Sequence, residues 1–230
     1  MFSDPILGEI VVHKRRGARN IRIRIGTDGR FLVSAPLYTP LIFIKKTVAD
    51  SRDELLAMRE KTPAHQIYRD GDTISQHHTL RTVPTSMVAR ATVKTERNTL
   101  LVYLPPGETI EHRSAQRLIR DEVIKILRRE AKAYLPQRLR SFATEHGFSY
   151  DRVRFSHASG RWGSCSTSGT ISLNIALMKL PLELIDYVLI HELCHTRQMN
   201  HSKAFWTEVE RYDPHFRLHR RQIAKHSPTV

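Results

Sequence analysis

Between residues 21 and 25 apolar and basic side chains alternate without a break: Ile21, Ile23 and Ile25 to one side, Arg22 and Arg24 to the other. A period of two is that of a strand with one buried face. Thr27-Asp28-Gly29 reads as a hairpin turn, and Phe31–Ser34 as the returning strand. Thr39-Pro40 reads as a helix start, with Thr39 as N-cap and Pro40 in the first position, and the helix is expected to reach about Lys61. Further strands are expected around Ile67–Tyr68, Thr73–Leu80, Val88–Lys94 and Leu100–Leu104, with turns at Asp70-Gly71-Asp72 and Arg97-Asn98. His77 and His78 then fall on a strand, face opposite ways and read as surface. From about Thr109 to His146 the period becomes helical, with a stripe of Leu118, Ile119, Glu122, Val123, Ile126 and Leu127. Pro136 is expected to kink or break this helix, and Gly147 to end it.

The last third changes pattern again. Arg152–Ser156, Arg161–Cys165 and Thr170–Leu173 read as three short strands, the last two joined by a turn at Ser166–Gly169. Asn174 is placed to cap a short helix, Ile175–Lys179, and Pro181 to open the next. That helix contains Leu182, Leu184, Ile185, Val188, Leu189, Ile190 and Leu193, so it is apolar nearly all round and should be buried. Ser202 caps a helix containing Phe205 and Trp206, and Asp213 caps a final one beginning at Pro214. The fold class is α+β: a strand-rich N-terminal domain with one helix, residues 1–107, and a small helical domain with a short antiparallel sheet, residues 108–230. Pro105-Pro106-Gly107 marks the expected boundary.

Composition narrows this. Only two cysteines are present. Cys165 is left unassigned and Cys194 reads as a small core residue, so a reducing, cytoplasmic setting is expected. The N-terminus lacks the basic segment and apolar core of a secretion signal, and no run has the length of a membrane span. Lys and Arg number 37 against 23 Asp and Glu. Such an excess attracts polyanions, nucleic acid among them, although a solvated basic surface is the plainer reading. Arg15, Arg16, Arg19, Arg22 and Arg24 form one cluster of this kind. The sequence leaves oligomeric state open.

The strongest chemical signal is His191-Glu192-Leu193-Cys194-His195, followed by His201. Residues four apart share a helix face, so His191 and His195 can meet one metal ion. Glu192 lies about 100° round the helix from His191, beside the ion and free to hold a water. Two imidazoles with a neighbouring carboxylate are the arrangement of zinc hydrolases. An unbroken helix would carry His201 about 9 Å along the axis from His195, whereas ligands of a tetrahedral zinc lie about 3.3 Å apart. The helix must therefore stop and the chain turn back. Gln198-Met199-Asn200 is suited to this, Asn tolerating the left-handed conformation that ends helices. His215 and Glu208 are the fallback third ligands. The spacing is also that of metzincin peptidases, but those carry Gly where this chain has Gln198, so their fold is not carried over. His215 and His219 also sit four apart; with no acid beside them they read as solvated.

Arg161-Trp162-Gly163-Ser164-Cys165-Ser166, Gly169-Thr170-Ile171-Ser172-Leu173-Asn174, the His191–His195 motif and Asn200-His201-Ser202-Lys203-Ala204-Phe205-Trp206 together resemble the YgjP-like metallopeptidases, relatives of the SprT and WLM zinc peptidases. The resemblance is dense over roughly 150–215 and looser before. It implies a compact zincin domain at the C-terminal end, one Zn²⁺ ion held by His191, His195 and His201, and Glu192 as general base. It also implies that Trp162 to Leu173 border a cleft where peptide adds as a further strand; Trp162 is equally readable as core. Water would complete the coordination and attack a peptide carbonyl. Arg161, His157 and Tyr212 are candidates for a second oxyanion stabiliser. Two other substrates fit the same centre: a nucleotide or other phosphate ester, suited to the basic surface, and proteins attached to DNA, suggested by the SprT relationship.

Overall fold

The computed structural model describes residues 1–26, 30–61 and 67–230, so the turn expected at Thr27–Gly29 lies outside it. Two compact units divide the chain, Met1–His65 and Gln66–Val230.

In the first unit, strands β1 (Phe2–Asp4), β2 (Gly8–Arg15), β3 (Arg22–Ile25) and β4 (Phe31–Pro36) form one sheet, order β1-β2-β4-β3. β2 and β4 are parallel; the other pairs are antiparallel. Alternation along β4 buries Phe31, Val33 and Ala35 with Ile10, and helices α1 (Leu41–Asp50) and α2 (Arg52–Lys61) add Ile44, Val48 and Leu55. The single helix expected here is thus two. Ser51, a weak helix former, takes φ −102° and ψ 17° and breaks it, and the cap before α1 is Pro40 rather than Thr39. Asp4 accepts from Arg52 at 2.7 and 3.2 Å and from the N–H groups of Ile6 and Leu7. The Arg52 guanidinium foremost holds the Asp4 carboxyl down at about 2, and the pair pins β1 to α2.

The second unit continues with β5 (Thr79–Pro84), β6 (Thr92–Glu96), β7 (Thr99–Leu104), α3 (Arg113–His146), β8 (Arg152–Ser156), β9 (Gly163–Cys165) and β10 (Thr170–Asn174). A 3₁₀ turn (Ile175–Lys179) and helices α4 (Leu182–Cys194), α5 (Lys203–Tyr212) and α6 (Phe216–Ile223) complete it. Its sheets have the orders β5-β7-β6 and β8-β10-β9. The sheet at 152–174 is mixed, not antiparallel as expected: β9 and β10 form the hairpin, but β10 lies between its partners and runs parallel to β8.

The long helix α3 is the spine. Ala115, Ile119, Val123, Leu127, Ala131, Leu135 and Leu139 recur every four positions and are buried. Leu118, expected on that stripe, is exposed. The helix runs through Pro136 without interruption; the carbonyl that proline deprives of a partner belongs to Lys132, on the exposed side where water can serve it. Gly147 ends the helix in the left-handed conformation, φ 65°.

The same buried cluster joins Leu80, Leu100 and Val102 of the β5–β7 sheet to α3 and to α4. The boundary expected at 107 is therefore a turn inside the second unit. Strands that look N-terminal by composition share their core with the C-terminal helices. Ile67–Tyr68 is not a strand either. Tyr68 is buried, and the Gln116 amide takes the place of a sheet partner, accepting from its N–H at 2.9 Å and donating to its carbonyl at 2.8 Å. Of Thr73–Leu80 only the end is strand. His78, expected at the surface, is buried with its Nδ1 2.6 Å from Glu130. Among the described residues no helix is long and apolar enough to cross a membrane.

Candidate metal centre

Helix α4 begins after Pro181 and is fastened to α3 by a two-pronged ion pair from Arg138 to Asp186, 2.8 and 2.7 Å. It ends at Cys194, with His195 as the capping residue. The exit is made by tight backbone bonds, from Thr196 N–H to Leu193 and from Arg197 and Gln198 N–H to Cys194, with the Thr196 hydroxyl also donating to Leu193. The left-handed Asn anticipated from the sequence is not used: Arg97 is the positive-φ residue other than glycine among those described. Ser202 then accepts from the Phe205 N–H and starts α5.

This turn returns His201 to the helix. His191 Nε2 lies 3.2 Å from His195 Nε2 and 3.1 Å from His201 Nε2, and the ligating nitrogens of all three lie within 4.8 Å of one another. The two distances from His191 match the roughly 3.3 Å between ligands of a tetrahedral ion. The donor chemistry fits as well. His195 Nδ1 is 3.0 Å from the Gln198 carbonyl, which can only accept, so the proton sits on Nδ1 and Nε2 presents a lone pair to the cluster. Burial first, then His195 and His201, hold His191 down to about 3, so it too is neutral at ordinary pH. Lone pairs facing one another at this distance are satisfied by a cation.

Aromatic rings wall the cluster. Phe205 stacks on His195 at 4.5 Å and Trp206 on His201 at 5.5 Å. The sequence reading placed both residues on a helix without a role; the available signal was their position four and five residues after His201. Tyr187, one turn before His191, packs its ring 5.9 Å away.

Glu192 is buried. Its Oε2 has no hydrogen-bond partner, and burial pushes the carboxyl up to about 8 against the opposing pull of Arg161. Its seat is made by an absence: a Cβ at Gly163 would come within 2.5 Å of Glu192 Oε1 and 2.8 Å of its Cγ and Cδ. The Gly163 position in the edge strand β9 therefore leaves room for this side chain. Cys165 in the same strand is half-buried, and its thiol is pushed up to about 11 by burial and then by the Glu192 charge.

The other candidates disperse. Glu208 is bound by Arg197 at 2.7 Å, and His215 caps α6, its N–H donating to Asp213. His219 does have an acid beside it: its Nδ1 is 2.8 Å from Asp213, and the pair is largely buried rather than solvated. His157 lies 3.4 Å from Arg128 on the exposed surface, and Tyr212 accepts from Arg197 at 3.0 Å. Arg161 is the one oxyanion candidate whose charge reaches Glu192.

Arg197 fastens the turn. It donates to Glu208 and Tyr212, and to the carbonyls of His146 and Gly147 at 3.1 and 2.6 Å, with its guanidinium 4.1 Å over the Phe148 ring.

The YgjP-like metallopeptidase domain matches residues 19–226, a span that takes in the whole of this centre. The chain belongs to that family. Among solved structures it is similar to the crystal structure of the metallopeptidase zymogen abylysin of Pyrococcus abyssi, at 30% identity over 39% of this chain and 92% of that one, with a TM-score of 0.36. A comparison with curated proteins gives no match. Membership in the YgjP-like family makes the chain a hydrolase of the metallopeptidase class, and the three histidines form a group that can hold its metal.

Proposed function

We propose that this chain is a zinc-dependent peptidase in which His191, His195 and His201 hold the ion and Glu192 is the general base. The observation that carries the reading is the convergence of three imidazoles, with His191 Nε2 3.2 Å from His195 and 3.1 Å from His201 and all three within 4.8 Å, beside a buried carboxylate with an unpartnered oxygen. Three imidazole ligands suit Zn²⁺, and a ligand set with no carboxylate or thiolate leaves the ion's charge undiminished. When bound, the ion polarises the scissile carbonyl and makes a neighbouring water easier to deprotonate.

The remaining steps belong to the protein. Glu192 accepts a proton from the attacking water as the carbon–oxygen bond forms, and returns it to the amine nitrogen as the carbon–nitrogen bond breaks. The low-dielectric pocket that raises its pKa keeps the proton available for that return. Strand β9 is the outer strand of its sheet and adjoins Glu192 through Gly163, so an extended substrate can add to it by backbone hydrogen bonds. Arg161 supplies positive charge on the same side.

The test is metal content and hydrolysis of peptide substrates, with nucleotides run in parallel. Alanine at His191, His195 or His201 should each remove stoichiometric zinc. Glu192→Gln should keep zinc and lose about 10²-fold in rate. Chelator-sensitive turnover of nucleotides with no turnover of peptides would replace the peptidase reading by the phosphate-ester one. Full activity in Glu192→Gln would remove Glu192 as base.

A further inference from the structure

Near the three histidines, α5 and α6 border an open groove of about 600 Å³ lined by Trp206, Phe216, Arg217, Arg220, Arg221 and Ala224. Its floor is aromatic: Trp206 and Phe216 stack at 5.5 Å with their planes 19° apart. Its rim is cationic. The Arg220 guanidinium lies 4.6 Å over Trp206 and that of Arg217 5.4 Å over Phe216. Arg217 has a carboxylate, Glu210, at 3.5 Å; among the described residues no ion pair engages Arg220 or Arg221. Helix α6 contains no acid, and the nearby Asp213 is already committed to His219.

One ring, that of Trp206, stands between the groove and the centre. Trp206 lies 5.5 Å from His201 and 4.6 Å from the Arg220 guanidinium, so the guanidinium is at most about 10 Å from that imidazole, roughly three residues of extended chain. We propose that this groove is a specificity subsite that binds a carboxylate of the peptide substrate within three residues of the scissile bond. The proposal rests on the peptidase reading above. A planar guanidinium binds a carboxylate through paired hydrogen bonds, and guanidiniums spread over aromatic rings are already oriented for it. The rings favour a carboxylate over a nucleobase, because Trp206 is engaged by His201, Phe216 and Arg220 together and presents little open face for stacking.

The test uses two readouts on the full chain loaded with zinc. The first is cleavage-site profiling on a mixed peptide library. Asp or Glu should be enriched at one fixed position near the cut, and Arg221→Glu and Arg220→Glu/Arg221→Glu should lose that preference by about tenfold or more, with zinc content unchanged. Lysine at that position should restore cleavage by the double variant. Amidated and free-acid peptides separate a side-chain carboxylate from a C-terminal one. The second readout is fluorescence anisotropy of a labelled acidic peptide on Glu192→Gln, which needs no turnover. Cleavage without acidic preference would overturn the subsite and leave the peptidase. Arginine-dependent binding of the acidic peptide without any cleavage would keep the subsite and overturn the peptidase. A single-stranded oligonucleotide that competes through the same arginines more strongly than the peptide would make the groove a nucleic-acid site and overturn the proposal. Absence of both cleavage and binding would overturn both readings.

Discussion

The sheet of residues 79–104 and the sheet of residues 152–174 run the same course. In each, the first and third strands lie side by side and parallel, the second hairpins onto the outside, and a helical segment follows. They part at two positions. β7 ends on Leu104, buried in the core; β10 ends on Asn174, whose side chain donates to the carbonyls of Ala158, Arg161 and Pro228 and accepts from Ala176 N–H. β6 begins on Thr92 opposite Tyr103; β9 begins on Gly163 opposite Leu173, and Glu192 occupies the space a side chain would take. One sheet uses the pattern to make core. The other keeps it and alters two side chains, gathering the 158–161 loop at one position and admitting a carboxylate at the other.

The sharpest break of this comparison is at its missing side chain. Gly163→Ala should displace Glu192 and lower hydrolysis by about 10²-fold, the scale for an ångström-sized misplacement of a reacting group, with zinc content unchanged. Thr92→Gly at the matching place should leave activity alone and cost about 1 kcal/mol in stability. Equal activity of Gly163→Ala and wild type would show that Glu192 has another seat. At the strand ends, Leu104→Ala should cost about 2–5 kcal/mol as a core truncation. Asn174→Ala should cost about 1–3 kcal/mol through carbonyls left unpaired. Chemical denaturation reads both, and a smaller loss at 104 than at 174 would invert the roles assigned to them.

The smallest effect extends the comparison to the first unit, where β2, β4 and β3 repeat the same order and β1 is added outside. Asp4 of β1 is held at about 2, below its ordinary 3.8. A depressed carboxylate stabilises the fold above pH 3.8, and that contribution fades as pH falls from about 4 towards 2. Thermal melts of wild type and Asp4→Asn should differ above pH 4 and converge near pH 2. A constant gap across that range would mean that Arg52 is not what sets the Asp4 carboxyl.

What the sequence made legible was local. The approach of His201 to His191 and His195, the Asn174 and Ser202 caps, the Gly147 stop and the strands at 152–174, of which the middle one starts at 163 rather than 161, depend on residues a few positions apart, and the structure contains them. What it hid was long-range. Nothing within residues 79–104 announces that their core partners lie on α3 and α4, so the boundary was drawn at 107 instead of 65. His78 looked like surface because its partner, Glu130, is 52 positions away. The His219–Asp213 pair spans six residues across the start of α6, a separation that the four-residue spacing of His215 and His219 does not reveal. The role of Gly163 was not legible, since a close approach by Glu192 leaves no mark on a glycine's own neighbourhood in the chain.

Arg197 bears on how the centre gains its ion. The turn that returns His201 is tied to the last carbonyls of α3 and to Glu208, none of which belongs to the histidine cluster. The contacts that shape it thus lie outside the cluster, so binding of the proposed ion is expected to need no ordering of this turn. Chelation should accordingly leave amide exchange in residues 195–202 slow, and the proposed metal ion should return at a rate independent of chain refolding. On the proposed metal role, the scaffold would be a ready socket, filled and emptied without being rebuilt.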